Sequence, residues 1–152
     1  MPPNLYVPGD NYDLETSHVM ATLICKFHEA KVDNAPQVVV WGTGAPRREF
    51  LHVDDMADAC VYLMENYDAS DIGEFVNIGL GEDVTIRELA ELIREIVGYS
   101  GEIVYDTTKP DGTPQKLLDV SRVHELGWDA KITLRDGISQ AYEWYVSQKI
   151  LV

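Results

Sequence analysis

Two hydrophobic periods alternate along the chain, and their alternation predicts an α/β protein. Residues 2–6 read as the end of a strand, broken by Pro8-Gly9-Asp10-Asn11. From Thr16 or Ser17 the apolar positions Val19, Met20, Leu23, Ile24 and Phe27 keep helical spacing to about Lys31. Val38-Val39-Val40-Trp41 is a β-branched run ended by Gly42, and Phe50-Leu51-His52-Val53 is a second strand after it. Residues 54–67 form a helix capped by Asp54 or Asp55, with Met56, Ala59, Cys60, Leu63 and Met64 on one face. Residues 74–78 read as a further strand closed by Gly79-Leu80-Gly81. Thr85-Ile86-Arg87-Glu88 is a capping box opening a helix that stops at Gly98. A strand over 102–105, a loop over 109–114, a short helix capped by Ser121 and a last helix from Thr133 complete the chain.

Strands this short and few predict a small mixed sheet with packed helices rather than a full doubly wound sheet. No internal repeat or long linker divides the chain, so residues 1–152 are expected to form a single domain. At 152 residues and 45% hydrophobic the chain can bury a real core. No apolar run approaches the ~18 residues a membrane span needs, and the first residues have no basic and apolar segments of a signal peptide. Cys25 and Cys60 both fall in amphipathic helical stretches as small buried hydrophobes, without excluding a disulfide. The expectation is a reduced, cytoplasmic protein.

The formal net charge of −14 argues against nucleic acid as a partner, because phosphate backbones require a basic face. Any anionic ligand must then be met by a local convergence of the few cations, expected to be Lys26, Arg47, Arg48, Lys109 and Lys116. The run Arg47-Arg48-Glu49-Phe50-Leu51-His52-Val53-Asp54-Asp55 places two guanidinium groups at a strand entry. A planar guanidinium fork suits a pyrophosphate, whose oxygens it can meet two at a time. His18, His28, His52 and His124 show no metal-ligand spacing.

That run resembles the R-[ED]-F-[LV]-H-V-D-D signature of extended short-chain dehydrogenases/reductases acting on nucleotide sugars. Neither the G-x-x-G-x-x-G loop nor the Tyr-x-x-x-Lys pair of those enzymes precedes it; the spacings Tyr105–Lys109 and Tyr145–Lys149 both follow the run. Further segments narrow the likeness: Asn4-Leu5-Tyr6, Asp10-Asn11-Tyr12, Thr16-Ser17-His18-Val19, Val84 to Leu89, and Lys109-Pro110-Asp111-Gly112-Thr113-Pro114 with Lys116-Leu117-Leu118-Asp119-Val120. Together they resemble the GDP-L-fucose synthase family, NADP-dependent 3,5-epimerase/4-reductases of a 4-keto-6-deoxy GDP-sugar. The likeness covers the substrate-binding C-terminal half of such an enzyme, without its Rossmann domain.

By that resemblance Pro2, Pro3, Asn4 and Leu5, with His18, face the NADP(H) cofactor. His18 is also the acid/base of epimerisation, a task suited to an imidazole titrating near neutral pH. Lys26, Trp41, Arg48, Asp111 and Lys116 are implied as contacts of a GDP-sugar, with Arg48 as the pyrophosphate ligand. Arg47 is expected to be supporting or exposed, and His52 to be packing. The chain departs from the family pattern at Pro3, Val7, Leu80 and Gln115, where Thr, Gly, Thr and Arg are usual. Pro3 removes a backbone donor, and Gln115 weakens one side of the anion site. The resemblance implies a homodimeric enzyme, with this chain alone inactive and binding the GDP-sugar weakly. Two alternatives stand beside it: the equivalent half of a UDP- or dTDP-sugar epimerase or dehydratase, disfavoured by the Lys-Pro-Asp-Gly-Thr-Pro loop, and a non-catalytic nucleotide-sugar-binding or assembly module.

Overall fold

The computed structural model describes residues 1–14 and 16–150, with the side chains of 149 and 150 left undescribed. Its strands are β1 (Asn4–Tyr6), β2 (Gln37–Trp41), β3 (Arg47–Arg48), β4 (Phe50–His52), β5 (Val84–Thr85), β6 (Glu102–Asp106) and β7 (Gln115–Lys116). Its helices are α1 (Val19–Val32), α2 (Val53–Asn66), α3 (Ala69–Ile72), α4 (Ile86–Val97), α5 (Ser121–Glu125) and α6 (Leu134–Ile150). The strands form three small sheets rather than one: parallel β1–β4, parallel β2–β6, and a mixed sheet ordered β5-β3-β7.

Alternation along β1 and β4 explains why the core has two parts. Tyr6 and Phe50 face a cluster built on α1, α4 and α6, whereas Leu51 on the opposite face joins Ala59, Leu63, Val123 and Trp128. Phe27 and Ile24 of α1 and Leu89 and Ile93 of α4 are fully buried in the first cluster. Each such side chain contributes about 1.5–3 kcal/mol of burial free energy. Along β2 only Val38 and Val40 are buried, which leaves Gln37, Val39 and Trp41 on the outer face.

Helix α4 begins and ends as its sequence predicts. Thr85 Oγ accepts the Glu88 N–H at 3.0 Å, Glu88 reaches back to the Thr85 N–H at 2.7 Å, and Gly98 closes the helix in the left-handed region.

Other expectations are corrected. Residues 74–78 form no strand: the Ile78 N–H reaches Met1 O and the Met1 ammonium reaches Val76 O, with no ladder continuing. The cap of α2 is His52, whose Nδ1 accepts the Asp54 N–H at 3.2 Å. Asp55 is instead buried and accepts the N–H groups of Lys131 and Ile132. Asp119, not Ser121, holds the start of α5, accepting the Ser121 N–H and hydroxyl. Cys60 is exposed, against the expectation, and Cys25 is buried, its sulfur bonded to Glu29 and Tyr145. No helix among the described residues is long and apolar enough to cross a membrane.

Candidate functional site

Arginine placement follows from strand register. In β3, Arg48 lies beside Lys116 of the parallel strand β7, and Arg47 beside Gln115. Paired residues on parallel strands share a face, so Arg48 and Lys116 point one way while Arg47 and Gln115 point the other. On the second face Arg47 Nε donates to Asp83 Oδ1 at 2.6 Å and Gln115 Nε2 to Asp83 Oδ2 at 2.5 Å. The bond from Gln115, with the neighbouring Arg47 guanidinium, holds the Asp83 carboxyl below its ordinary range. Arg47 therefore braces the sheet. Gln115, a departure from the family pattern, is engaged in the same brace. Arg48 donates through Nη1 to the Arg47 carbonyl at 2.7 Å, which orients the rest of its fork.

β3 and β4 are joined by a single residue, Glu49, a fully buried carboxylate. Its Oε1 accepts the N–H groups of Leu80 and Gly81 at 2.7 and 2.9 Å, and its Oε2 that of Leu118 at 3.0 Å. Three backbone donors satisfy a buried charge that would otherwise be prohibitive. A Cβ at Gly79 would come within 2.2 Å of Glu49 Oε1, so the Gly-Leu-Gly turn must lack a side chain there. The Glu49 carbonyl also accepts the Asn4 carboxamide at 2.8 Å. One residue thus ties β1, β3, β7 and the 79–81 turn together.

Three clefts, each sharing residues with the next, connect most of the expected positions. The first, about 380 Å³, is lined by Pro2, Pro3, Asn4 and Lys116. The second, about 330 Å³, shares Pro2, Pro3 and Asn4 and adds Leu5, His18, Val19 and Phe50. The third, about 290 Å³, shares Val19 and adds Lys26 and Trp41. His18 is the N-cap residue of α1, one position before the helical turn expected for it, and its side chain makes no capping bond. A separate, larger depression of about 910 Å³ near Phe75 and Arg122 contains none of the expected residues.

At the far end the indole of Trp41 is 65% exposed. Lys26 Nζ lies 5.5 Å and Lys109 Nζ 5.3 Å from its ring centroid. Lys26 also donates to Val39 O at 3.0 Å, and partial burial lowers its ammonium below the ordinary lysine value. Lys109 belongs to the loop over residues 107–114, which joins the two cationic groups. In that loop Asp111 is clasped by Thr43, and the Cβ position of Gly112 lies 3.9 Å from Arg48 Nη2. Arg48 thus reaches the groove beside Lys116, and Asp111 sits in the loop that brings Lys109 to Trp41; neither lines the clefts itself.

Comparison with known proteins gives the family of the chain. Residues 1–79, more than half of the chain, match the NAD dependent epimerase/dehydratase family. The chain belongs to that family. GDP-L-fucose synthase 1 of Arabidopsis thaliana is 60% identical over 146 residues, covering 96% of this chain and 44% of the relative. A GDP-6-OMe-4-keto-L-xylo-heptose reductase from Campylobacter jejuni superposes with a TM-score of 0.88 at 38% identity, over 97% of this chain and 53% of that one. A GDP-mannoheptose C4 reductase from the same organism, with NADP bound, gives 0.86 at 38% identity, over 95% and 51%. The chain spans about half the length of the curated relatives it matches.

The sequence marks the arginine run as the expected anion site, whereas the supports Glu49, Asp83, Thr43 and Arg87 carry little or no signal of their own. Glu49 had a faint signal, an acidic residue at a strand start with a Gly-x-Gly turn downstream. Asp83 had none, because it lies 36 positions from Arg47 and 32 from Gln115.

Proposed function

We propose that this chain, as a single domain, is the nucleotide-sugar-binding part of a cytoplasmic, NADP-dependent GDP-4-keto-6-deoxy-D-mannose epimerase/reductase that makes GDP-L-fucose. The observation that carries the reading is the groove running from the Arg48–Lys116 pair past His18 to Trp41, flanked by Lys26 and Lys109. In a protein of net charge −14, cations gathered on one groove are a selective feature. Arg48 and Lys116 would take the diphosphate with charge-assisted bonds. Trp41 would stack on the hexose or base, with Lys26 close to the phosphates, and Asp111 would accept a hydroxyl.

His18 is exposed at the groove edge, where its imidazole can exchange the proton beside a ketone. The cleft of Pro2, Pro3, Asn4, Leu5 and His18 fits the nicotinamide end of NADP(H): Val19, Met20 and Phe50 give apolar walls against an aromatic ring. Pro3 offers no N–H there and the Asn4 N–H is held by the Glu49 carbonyl at 3.3 Å, so a backbone donor to the carboxamide would come from Leu5. When bound, the cofactor supplies the hydride that reduces the C4 ketone. The residues of this chain orient the sugar and move its α-protons.

Saturation-transfer NMR on the purified chain tests the reading. GDP-mannose is expected to receive saturation that a Lys116→Glu variant loses, while UDP-glucose receives little. Equal transfer to UDP-glucose, or transfer unaffected by Lys116→Glu, would overturn the assignment.

A further inference from the structure

The Gly42–Pro46 turn is held to the loop over residues 107–114 by a single two-point clasp. Asp111 Oδ1 accepts the Thr43 N–H at 2.6 Å, and Asp111 Oδ2 accepts the Thr43 hydroxyl at 2.7 Å. The direction of that hydroxyl is fixed, because the Ala45 N–H donates to Thr43 Oγ at 3.1 Å and occupies an acceptor site of the same oxygen. Its one proton is left for Asp111. The Thr43 carbonyl is held in turn by Arg87 Nη2 at 2.9 Å, and the Arg87 guanidinium lies 3.8 Å from the centroid of Tyr105. Gly42 has φ 81°, and a Cβ there would meet Asp111 Oδ1 at 2.3 Å. Glycine is therefore required for the carboxylate to approach.

We propose that Thr43 is a positioning residue for the nucleotide-sugar site, aiming the Asp111 carboxylate and the loop that carries Lys109 toward the ligand. This rests on the reading of the groove given above. A carboxylate offers about four lone-pair sites, and Thr43 uses one on each oxygen, so each oxygen keeps one for a ligand hydroxyl. The clasp also sets the reach of the loop. Lys109, two residues before Asp111, stands over Trp41, and Gly112 follows next to Arg48. Thr43 itself lies outside the three clefts and acts through Asp111.

Thr43→Val keeps the side-chain shape and the N–H bond while removing the hydroxyl. Because Thr43 is exposed, the variant should fold with an unchanged thermal midpoint. Affinity for GDP-mannose, read by ligand-observed NMR, is expected to fall roughly 3–10-fold, the scale of one hydrogen bond. Thr43→Ser should restore it to within about twofold, because only the hydroxyl is needed. In an Asp111→Ala background, Thr43→Val should change affinity by less than about 1.5-fold, since the group it aims is gone. The acid limb of GDP-mannose binding should move to higher pH in Thr43→Val, because the hydroxyl bond favours the ionised carboxylate. Thr43→Val binding as tightly as the parent, or losses at Thr43 and Asp111 that simply multiply, would overturn the role of Thr43. Parent protein that binds no GDP-mannose would instead sink the nucleotide-sugar reading, and this proposal with it.

Discussion

The two cationic ends of the groove are held in opposite ways. At the Arg48–Lys116 end the scaffold is internal: Glu49 lies buried among three backbone N–H groups. At the Trp41 end the scaffold is external: an exposed threonine holds an exposed aspartate, and two ammonium groups flank an open indole. Bonds of the same length have different consequences in the two places. A buried polar network fails at the full desolvation cost of its orphaned donors, while an exposed one is replaced by water at little cost. The first end should therefore couple binding to folding, and the second should tune binding without touching stability.

Glu49→Ala should break the comparison most severely. It strands three half-buried N–H groups, each worth about 1 kcal/mol when unsatisfied, at the low end for such donors, so unfolding free energy should drop by about 3 kcal/mol. Denaturant unfolding followed by circular dichroism measures it. A loss below about 1 kcal/mol would mean that water replaces the carboxylate and the end is not internally held.

A smaller effect is expected at the other end. Trp41→Ala should weaken binding of GDP-mannose by about 0.5–1.5 kcal/mol, the scale of an aromatic contact, with no change in thermal midpoint. A fall in midpoint comparable to that of Glu49→Ala would erase the distinction between the two ends.

The smallest effect concerns acid. The Thr43 hydroxyl and N–H hold the Asp111 carboxyl below its usual value of 3.8. A carboxylate with a depressed folded value contributes its stabilisation fully above the unfolded value and loses it as pH falls through the folded one. The clasp should thus survive at pH 4 and open only below 3.8, seen as a shift of the Thr43 amide resonance with a midpoint beneath that value. A midpoint at or above 3.8 would show that the clasp is not formed in solution.

Legibility in the sequence followed the same divide. Local signals were reliable where the partner lay within one turn: the Thr85–Glu88 box and the Gly98 stop appear as expected. Cap assignments failed where a neighbour outcompeted the usual residue, as His52 did for Asp54 and Asp119 for Ser121. The strand expected over 74–78 failed because alternation records which side chains can be buried, not whether a partner strand is present. Likewise, β3, β5 and β7 are two residues each, too short to leave a period. The Arg47–Asp55 run marked the proposed anion site, but the supports of that run were not legible. Glu49 with Leu80 and Leu118, Asp83 with Arg47 and Gln115, and Thr43 with Asp111 are pairings across 31 to 69 positions.

Arg48, set beside Lys116 by strand register, is proposed as the diphosphate ligand. Calorimetric titration of GDP into the parent, Arg48→Ala and His18→Ala proteins tests it most directly. The parent should bind no tighter than roughly 0.1–1 mM and more weakly as salt rises. Arg48→Ala should lose about 1.5–3 kcal/mol, the scale of a bond to a charged group, while His18→Ala binds as the parent does, because its proposed work is proton transfer. Arg48→Ala binding GDP as well as the parent would contradict the account and make the arginine run a structural brace alone.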